Sequence, residues 1–420
     1  MSFQQGLSGL NATSKNLDII GNNIANSNTF GAKASRGEFS DVYAAALNGA
    51  GSSSVGIGTT LVAVSQQFTQ GNITSTGNPM DLAISGAGFF QVSDGANAPL
   101  YSRNGQFKVN QDGYIVNNQA LRLVGYAADG GGVIQPGNAV PLQLPTAGIN
   151  PKATSEVQIE MNLDSRAAAT APTAGAAIDF NDPTTYNNAT SLTVYDAKGQ
   201  NVALTYYFQK AATDTWNIFI TANGEPINGT LAAPVATTTI NFPANGGAPL
   251  APVGPVPFDV PATINSAGAE TLAMTGVSLD LDGASQYGAG FGVTNLSQDG
   301  YAPGQLTGIN IESNGIVMAR YSNGQSKPAG QIELATFRNP QGLQPQGGNA
   351  WARSFASGDP IVGVAGQGNL GVLQSGALEE SNVDLTAELV SMITAQRIYQ
   401  ANAQTIKTQD QVLQTLVNLR

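Results

Sequence analysis

The chain contains no cysteine and no histidine. Thiol nucleophiles, imidazole bases, redox disulfides and zinc sites built on Cys or His are all excluded, leaving only carboxylate, Lys, Ser, Thr or Tyr chemistry. A fold without disulfides is also indifferent to the redox state of its compartment, which suits a protein made inside a cell and used outside it. Charge is scarce: Asp, Glu, Lys and Arg make up 11% of residues, against about 25% in ordinary soluble domains. The 28 acidic residues outnumber the 17 basic ones for a net charge of −11. Neither nucleic acid nor an anionic membrane would find a basic patch here. No apolar run approaches the roughly 18–20 residues that span a bilayer. No cleaved secretory leader is expected either, because Lys15 is the first basic residue and no apolar block follows Met1.

What the chain does have is glycine, 50 of its 420 residues, and a periodicity that differs between its ends and its middle. Phe3, Leu7, Leu10, Leu17 and Ile24 recur at alternating steps of four and three, with Ser14 and Gly21 in the weak positions. The same alternation runs through Leu385, Leu389, Met392, Tyr399, Ala403, Ile406, Leu413 and Val417, a stretch free of Gly and Pro. Both patterns predict helices with a heptad seam. Ser381, Asn382 and Asp384 are N-cap candidates ahead of the second helix, and Glu388 puts negative charge near the positive end of its dipole. Ile19 and Ile20 on the first helix, with Val390, Ile393, Ile398 and Leu416 on the second, widen the stripes beyond what one helix pair needs. The excess width predicts further copies of the chain as neighbours.

Between the helices the pattern is that of short strands and turns. Asp81 to Ile84, Phe89 to Val92, Gln106 to Val109 and Tyr114 to Val116 form one group; Leu192 to Tyr195, Val202 to Phe208 and Trp216 to Thr221 a second; Gly308 to Ile311, Ile316 to Tyr321 and Gln331 to Phe337 a third. The order helix, β, inserted β, β, helix implies nesting. The expected fold is multidomain α+β, with terminal coiled-coil helices enclosing nested, mainly antiparallel β domains. Residues 1–30 and 375–420 are the paired helices, 31–71 and 359–374 an extended connector that includes the Gly- and Ser-rich Asn48 to Ser54, 72–147 and 288–358 an inner β domain, and 148–287 an inserted outer β domain.

Nothing in the chain composes a catalytic, cofactor or metal site. Asp280-Leu281-Asp282-Gly283 lacks the spacing of a calcium loop and fits a solvated turn. Asp94-Gly95, Asp112-Gly113 and Asp129-Gly130 are turn dipeptides. Gly56-Ile57-Gly58 lacks the third Gly and the Lys of a phosphate loop. A secreted hydrolase working through paired carboxylates is one rival reading and an adhesin presenting the β insertion is another, but the adhesin leaves two helical stripes without a purpose.

Asn22-Asn23-Ile24 followed by Ala25-Asn26-Ser27-Asn28-Thr29-Phe30-Gly31-Ala32-Lys33 resembles the signature after the first helix of flagellar rod and hook proteins. Ser85-Gly86-Ala87-Gly88-Phe89-Phe90 and Tyr101-Ser102-Arg103-Asn104-Gly105-Gln106-Phe107 are similar to that family's β motifs, and Gly376 to Leu385, with Ser381, Asn382, Val383 and Asp384, to its C-terminal one. Together they cover over half the chain. One position departs: the family usually has an aromatic between Gly31 and Lys33, where this chain has Ala32, and Phe30 is expected to fill that space. The 148–287 insertion is similar to the outer domain of hook proteins, whereas rod proteins are shorter; the distal rod protein is the alternative within the family.

The resemblance implies a structural subunit, not an enzyme, without cofactors. Copies would polymerise helically into a hollow, flexible joint that transmits torque from rod to filament. Besides itself, its implied partners are the distal rod protein, the hook–filament junction protein, the hook cap and the flagellar export apparatus, with no nucleic acid and no membrane insertion. The implied location is extracellular, reached without a cleaved signal.

Overall fold

The computed structural model describes residues 2–42, 56, 58–145, 147–171 and 178–418. The side chains of Ser2 and of residues 416–418, and with them the seam position Val417, lie outside the described ones, as does the Asn48 to Ser54 stretch. The chain divides into two compact units. One comprises residues 1–146, 308–320 and 326–420, the other 147–307 and 321–325. The expected insertion of 148–287 thus extends further, because Gly292–Gln298 pairs antiparallel with Glu156–Asp164 inside the second unit.

The first unit holds both helices, α1 (Ser2–Ala25) and α2 (Leu385–Asn418). They run antiparallel: a Cβ on Gly6 would meet Ile406, one on Gly9 would meet Asn402, and Asn23 bonds Glu388. The described part of the expected connector is not a free link but a paired element. β1 (Ser35–Val42) and β2 (Gly58–Gln66) form an antiparallel hairpin that packs on α1, with the side chain of Ile19 against Gly37. β-branched and aromatic residues spaced along β2 and β1 outweigh the Gly and Ser between them. In the other connector segment, Ile361–Val364 pairs with Ser326–Thr336 and Val372–Ser375 with Leu82–Ser85, so these residues belong to the β body.

That body is built on Ser326–Thr336, which pairs antiparallel with both Phe89–Ser93 and Arg122–Ala127. Its core gathers Leu82, Ile84, Phe90, Val92, Ile115, Leu123, Ile332 and Leu334. A separate aromatic cluster joins Phe89, Tyr101, Phe337 and Trp351, with Phe68 packed against it. Its rings meet edge to face at 4.7–6.1 Å between centroids, the arrangement favoured by the ring quadrupole.

The second unit is a sandwich of two five-stranded sheets. Along Glu156–Asp164 the residues Val157, Ile159, Met161 and Leu163 are buried and their neighbours are not, the period of two that a one-sided strand requires. They share one core with Leu204, Tyr206, Phe208, Trp216, Ile218 and Ile220 of the other sheet. Glu156–Asp164 departs from the mainly antiparallel pattern: Met274–Asp280 and Ser285–Tyr287 both run parallel to it. Asp196 is buried at the turn after Asn188–Tyr195, where its carboxylate accepts the amides of Lys198, Gln200 and Leu272 at 2.7–2.9 Å.

Candidate functional site

The residues singled out in the sequence fall into a junction that ties the helices to the β body, and two stripes along the helices. At the junction Glu379 is buried and accepts from the Lys33 ammonium at 2.6 Å, the Arg103 guanidinium at 3.1 Å and the Gly71 amide at 2.9 Å. One carboxylate therefore answers two buried cations. Their other donors go to backbone carbonyls: Lys33 Nζ to Thr69 at 2.8 Å and Arg103 Nη2 to Gly86 at 2.9 Å. Burial pushes the Lys33 ammonium below its ordinary pKa, and the facing Glu379 carboxylate partly opposes that shift. The same two causes, in the same order, act on Arg103, whose guanidinium also lies 5.3 Å from the Phe89 ring centroid.

Gly31 is required here by geometry. Its φ is +70°, and a Cβ would come within 2.5–2.8 Å of the Arg103–Asn104 backbone. Its amide bonds the Glu379 carbonyl at 2.8 Å. Asn23 acts on the start of β1 as a second strand would: its Oδ1 accepts the Ser35 amide and its Nδ2 donates to the Ser35 carbonyl, both at 2.8 Å. The same Nδ2 reaches Glu388 Oε1 of α2 at 2.9 Å. Asn382 accepts from the Ala34 amide and donates to the Gln67 carbonyl and the Thr69 hydroxyl, each at 2.7 Å.

The other signature residues have local tasks. Asn26 donates to the Asn22 carbonyl at 2.9 Å and closes α1, whose last residue Ala25 is exposed; Thr29 accepts the Ala32 amide. Asp384 alone of the three candidates caps α2, accepting the amides of Thr386 and Ala387 at 2.9 and 3.1 Å. Ser381 accepts the Val383 amide. Ala32 is buried and lines, with Asn22, Asn26, Val383 and Trp351, an open cavity of about 330 Å³. Phe30 does not line that cavity, so the expected substitution of one aromatic position by its neighbour does not occur. Glu379, Arg103 and Glu388 were not among the expected site residues. The available signal was scarcity, since a fixed charge inside a Gly-rich motif is unusual in a chain with so few.

The seam is displaced from its expected position. The face of α1 turned toward α2 and the hairpin carries Gly6, Gly9, Thr13, Ile20 and Asn23, and α2 answers with Glu388, Ala395, Asn402 and Ile406. On α1 this face is one residue ahead of the expected one, a rotation of about 100° around the helix. Leu10, Leu17, Ile24, Met392, Ala403 and Ile406 are half-buried. Phe3, Leu7, Leu385, Leu389, Tyr399 and Leu413 are exposed, at 37–51% of their full surface. Small residues let two helices approach closely, and the bulky stripes are left facing outward. Of the expected seam residues, Ile406 lies on the pairing face opposite Gly6, while most of the bulky ones face away from it.

Elsewhere the carboxylates sit in turns. Asp94 accepts the amides of Ala96 and Asn97, Asp129 those of Gly131 and Val133, and Asp280 that of Asp282. Among the described residues no group of three or more acidic side chains could hold a metal ion, and no helix is long and apolar enough to cross a membrane.

Four family models match the chain in order: flagella basal body rod protein over residues 3–33, the flagellar hook protein FlgE/F/G D1 domain over 83–165, the flagellar basal body protein FlaE D2 domain over 162–301, and the flagellar basal body rod FlgEFG protein C-terminal region over 374–419. These, with helices at both ends of nested β units, define the class as flagellar rod and hook proteins. Within it, the chain is 42% identical to the flagellar hook protein FlgE of Salmonella typhimurium and 40% identical to that of Escherichia coli, over the whole of both chains in each case. It is 34% identical to the hook protein of Rhizobium meliloti over all of this chain and 98% of that one. The chain belongs to the flagellar hook protein family. Its fold is shared with the crystal structure of the Helicobacter pylori flagellar hook protein FlgE2, at a TM-score of 0.54 and 16% identity, covering 73% of this chain and 100% of that one.

Proposed function

We propose that this chain is the repeating subunit of a flagellar hook, the hollow and flexible joint that carries torque from the rod to the filament. The observation that carries this reading is the pair of outward stripes: Leu7, Leu385, Leu389 and Leu413 are exposed on helices that already have a partner. Apolar surface arranged in register along a paired helix is surface for another copy. The family relationship over the full length favours the hook subunit over the distal rod protein and over an adhesin. The role is structural and needs no cofactor. The distal rod protein, the hook–filament junction protein, the hook cap and the export apparatus are its further partners, and its place is the extracellular flagellum. Expression in a bacterium lacking its own hook subunit tests this. Curved hooks seen by electron microscopy, with swimming restored, are the expected outcome; basal bodies that end at the rod would overturn it.

A further inference from the structure

The most exposed aromatic side chain among the described residues is Phe355, whose surface is entirely free at 104% of the reference value. A free phenyl ring on a loose loop would mean little, but this loop is pinned. The Ser354 hydroxyl donates to the Gly342 carbonyl at 2.5 Å and accepts the amides of Ala356 and Ser357 at 3.1 and 3.3 Å. The buried Ser357 hydroxyl donates to the Ser354 carbonyl at 2.9 Å, and Asn339 Nδ2 holds the Ala356 carbonyl at 3.0 Å. The loop presses so closely on the turn behind it that a Cβ on Gly342 would meet the Ser357 amide at 2.5 Å. An Arg353–Asp359 ion pair of 2.7 Å closes the loop just ahead of the strand Ile361–Val364.

Three more large apolar side chains are exposed in the residues that follow: Ile361 at 51%, Val362 at 47% and Val372 at 46%. They lie on strands whose other residues are part of the β body. Fixed, apolar and carrying few charges, this segment has the features of a contact surface rather than of a solvated loop.

Charge selects its occupant. The second unit carries 13 carboxylates against four Lys or Arg, a net charge of −9, which leaves −2 for the first unit. Copies of the chain therefore repel one another through their second units and meet little opposition through their first. We propose that residues 353–373 dock onto the β body of the first unit of a second copy of this chain, with Phe355 as the anchor. This rests on the hook-subunit reading and adds a contact away from the helices.

The absence of cysteine makes the test clean, because Phe355→Cys introduces the only thiol. Labelled with a photoactivated benzophenone, it should crosslink within assembled hooks to residues of the first unit of a neighbouring copy. Phe355→Asp should leave the urea midpoint of the monomer unchanged, as a fully exposed ring has no contact to lose. It should raise the concentration needed for assembly by about tenfold or more, the effect of losing one buried aromatic, and Phe355→Leu should recover most of it. Wild-type chains that form hooks while Phe355→Asp chains form them at the same concentration would overturn the docking surface alone. Crosslinks confined to the same chain or to second-unit residues would do so too. Wild-type chains that form no hooks would remove the hook reading and this inference together.

Discussion

Glu379 draws three distant segments together, through Lys33 across 346 residues and Arg103 across 276. Removing different members of this triad should cost different amounts. Glu379→Ala leaves two buried cations without a counter-charge, a loss of about 3–5 kcal/mol. Lys33→Met leaves the Arg103–Glu379 pair matched and forfeits mainly the bond to the Thr69 carbonyl, about 1–3 kcal/mol. Urea unfolding of the first unit should rank the variants in that order, and equal losses would mean that the ion pairs are not what holds the junction. A second buried carboxylate sets a pH dependence. Burial pushes Glu333 above its ordinary pKa of 4.5, against the hydrogen bond from the Tyr126 hydroxyl at 2.9 Å. Tyr126 itself is pushed up to about 12 by burial and by Glu333, so it stays a donor. A carboxyl with a raised pKa binds its proton more tightly in the folded state, so stability falls as pH rises from about 4.5 through the folded-state value. Glu333→Gln should flatten that decline and make the first unit more stable than wild type near neutral pH; parallel stability–pH curves would reject the assignment.

The helices separate two roles onto two faces. Leu389 is 45% exposed in the single chain, so Leu389→Asp should leave the β body's unfolding midpoint unchanged and block assembly, because the charge enters an apolar contact only between copies. Gly9 lies on the other face, where even a Cβ would come within 2.9 Å of the Asn402 amide. Gly9→Leu raises intrinsic helix propensity by nearly 1 kcal/mol, yet it should speed amide hydrogen exchange along residues 385–418 by forcing the helices apart. Slower exchange would show that propensity outweighs the pairing and that the small-residue face is not needed.

The two units make a specific deletion the informative one. Removing residues 148–287 would leave Gly292–Gln298 without Glu156–Asp164, its partner along the sheet. An orphaned strand edge invites pairing with other chains, so that variant should aggregate. Removing 147–307 with a short Gly-Ser bridge takes the strand and its partner together and should keep the first unit folded and competent for assembly. Because most of the net negative charge goes with it, and with it the repulsion between copies, the resulting hooks should differ from wild type in curvature or stiffness under electron microscopy. Failure to assemble would make the second unit part of the scaffold, and unchanged curvature would deny it a mechanical task.

Local order was set by the sequence itself. Helical ends, short alternating strands and Asp-Gly turns follow from residue type and spacing within a few positions, which is the range over which propensity and periodicity act. The residues of the junction were partly marked as well, since Asn23, Gly31, Lys33, Asn382 and Asp384 stand in motifs. Only the tertiary structure decided what they do. Asn382 bonds Ala34, 348 residues away, instead of capping the helix beside it. β2 finds β1 across a Gly- and Ser-rich stretch that has the composition of a connector. The seam shows the limit most plainly. A heptad pattern reports which stripe is most apolar, but pairing within one chain depends on how closely two backbones can approach, and Gly6 and Gly9 allow that on a different face. The leucine stripe is legible in the sequence; that it stays exposed when the two helices pair is a property of packing, which no single stripe contains.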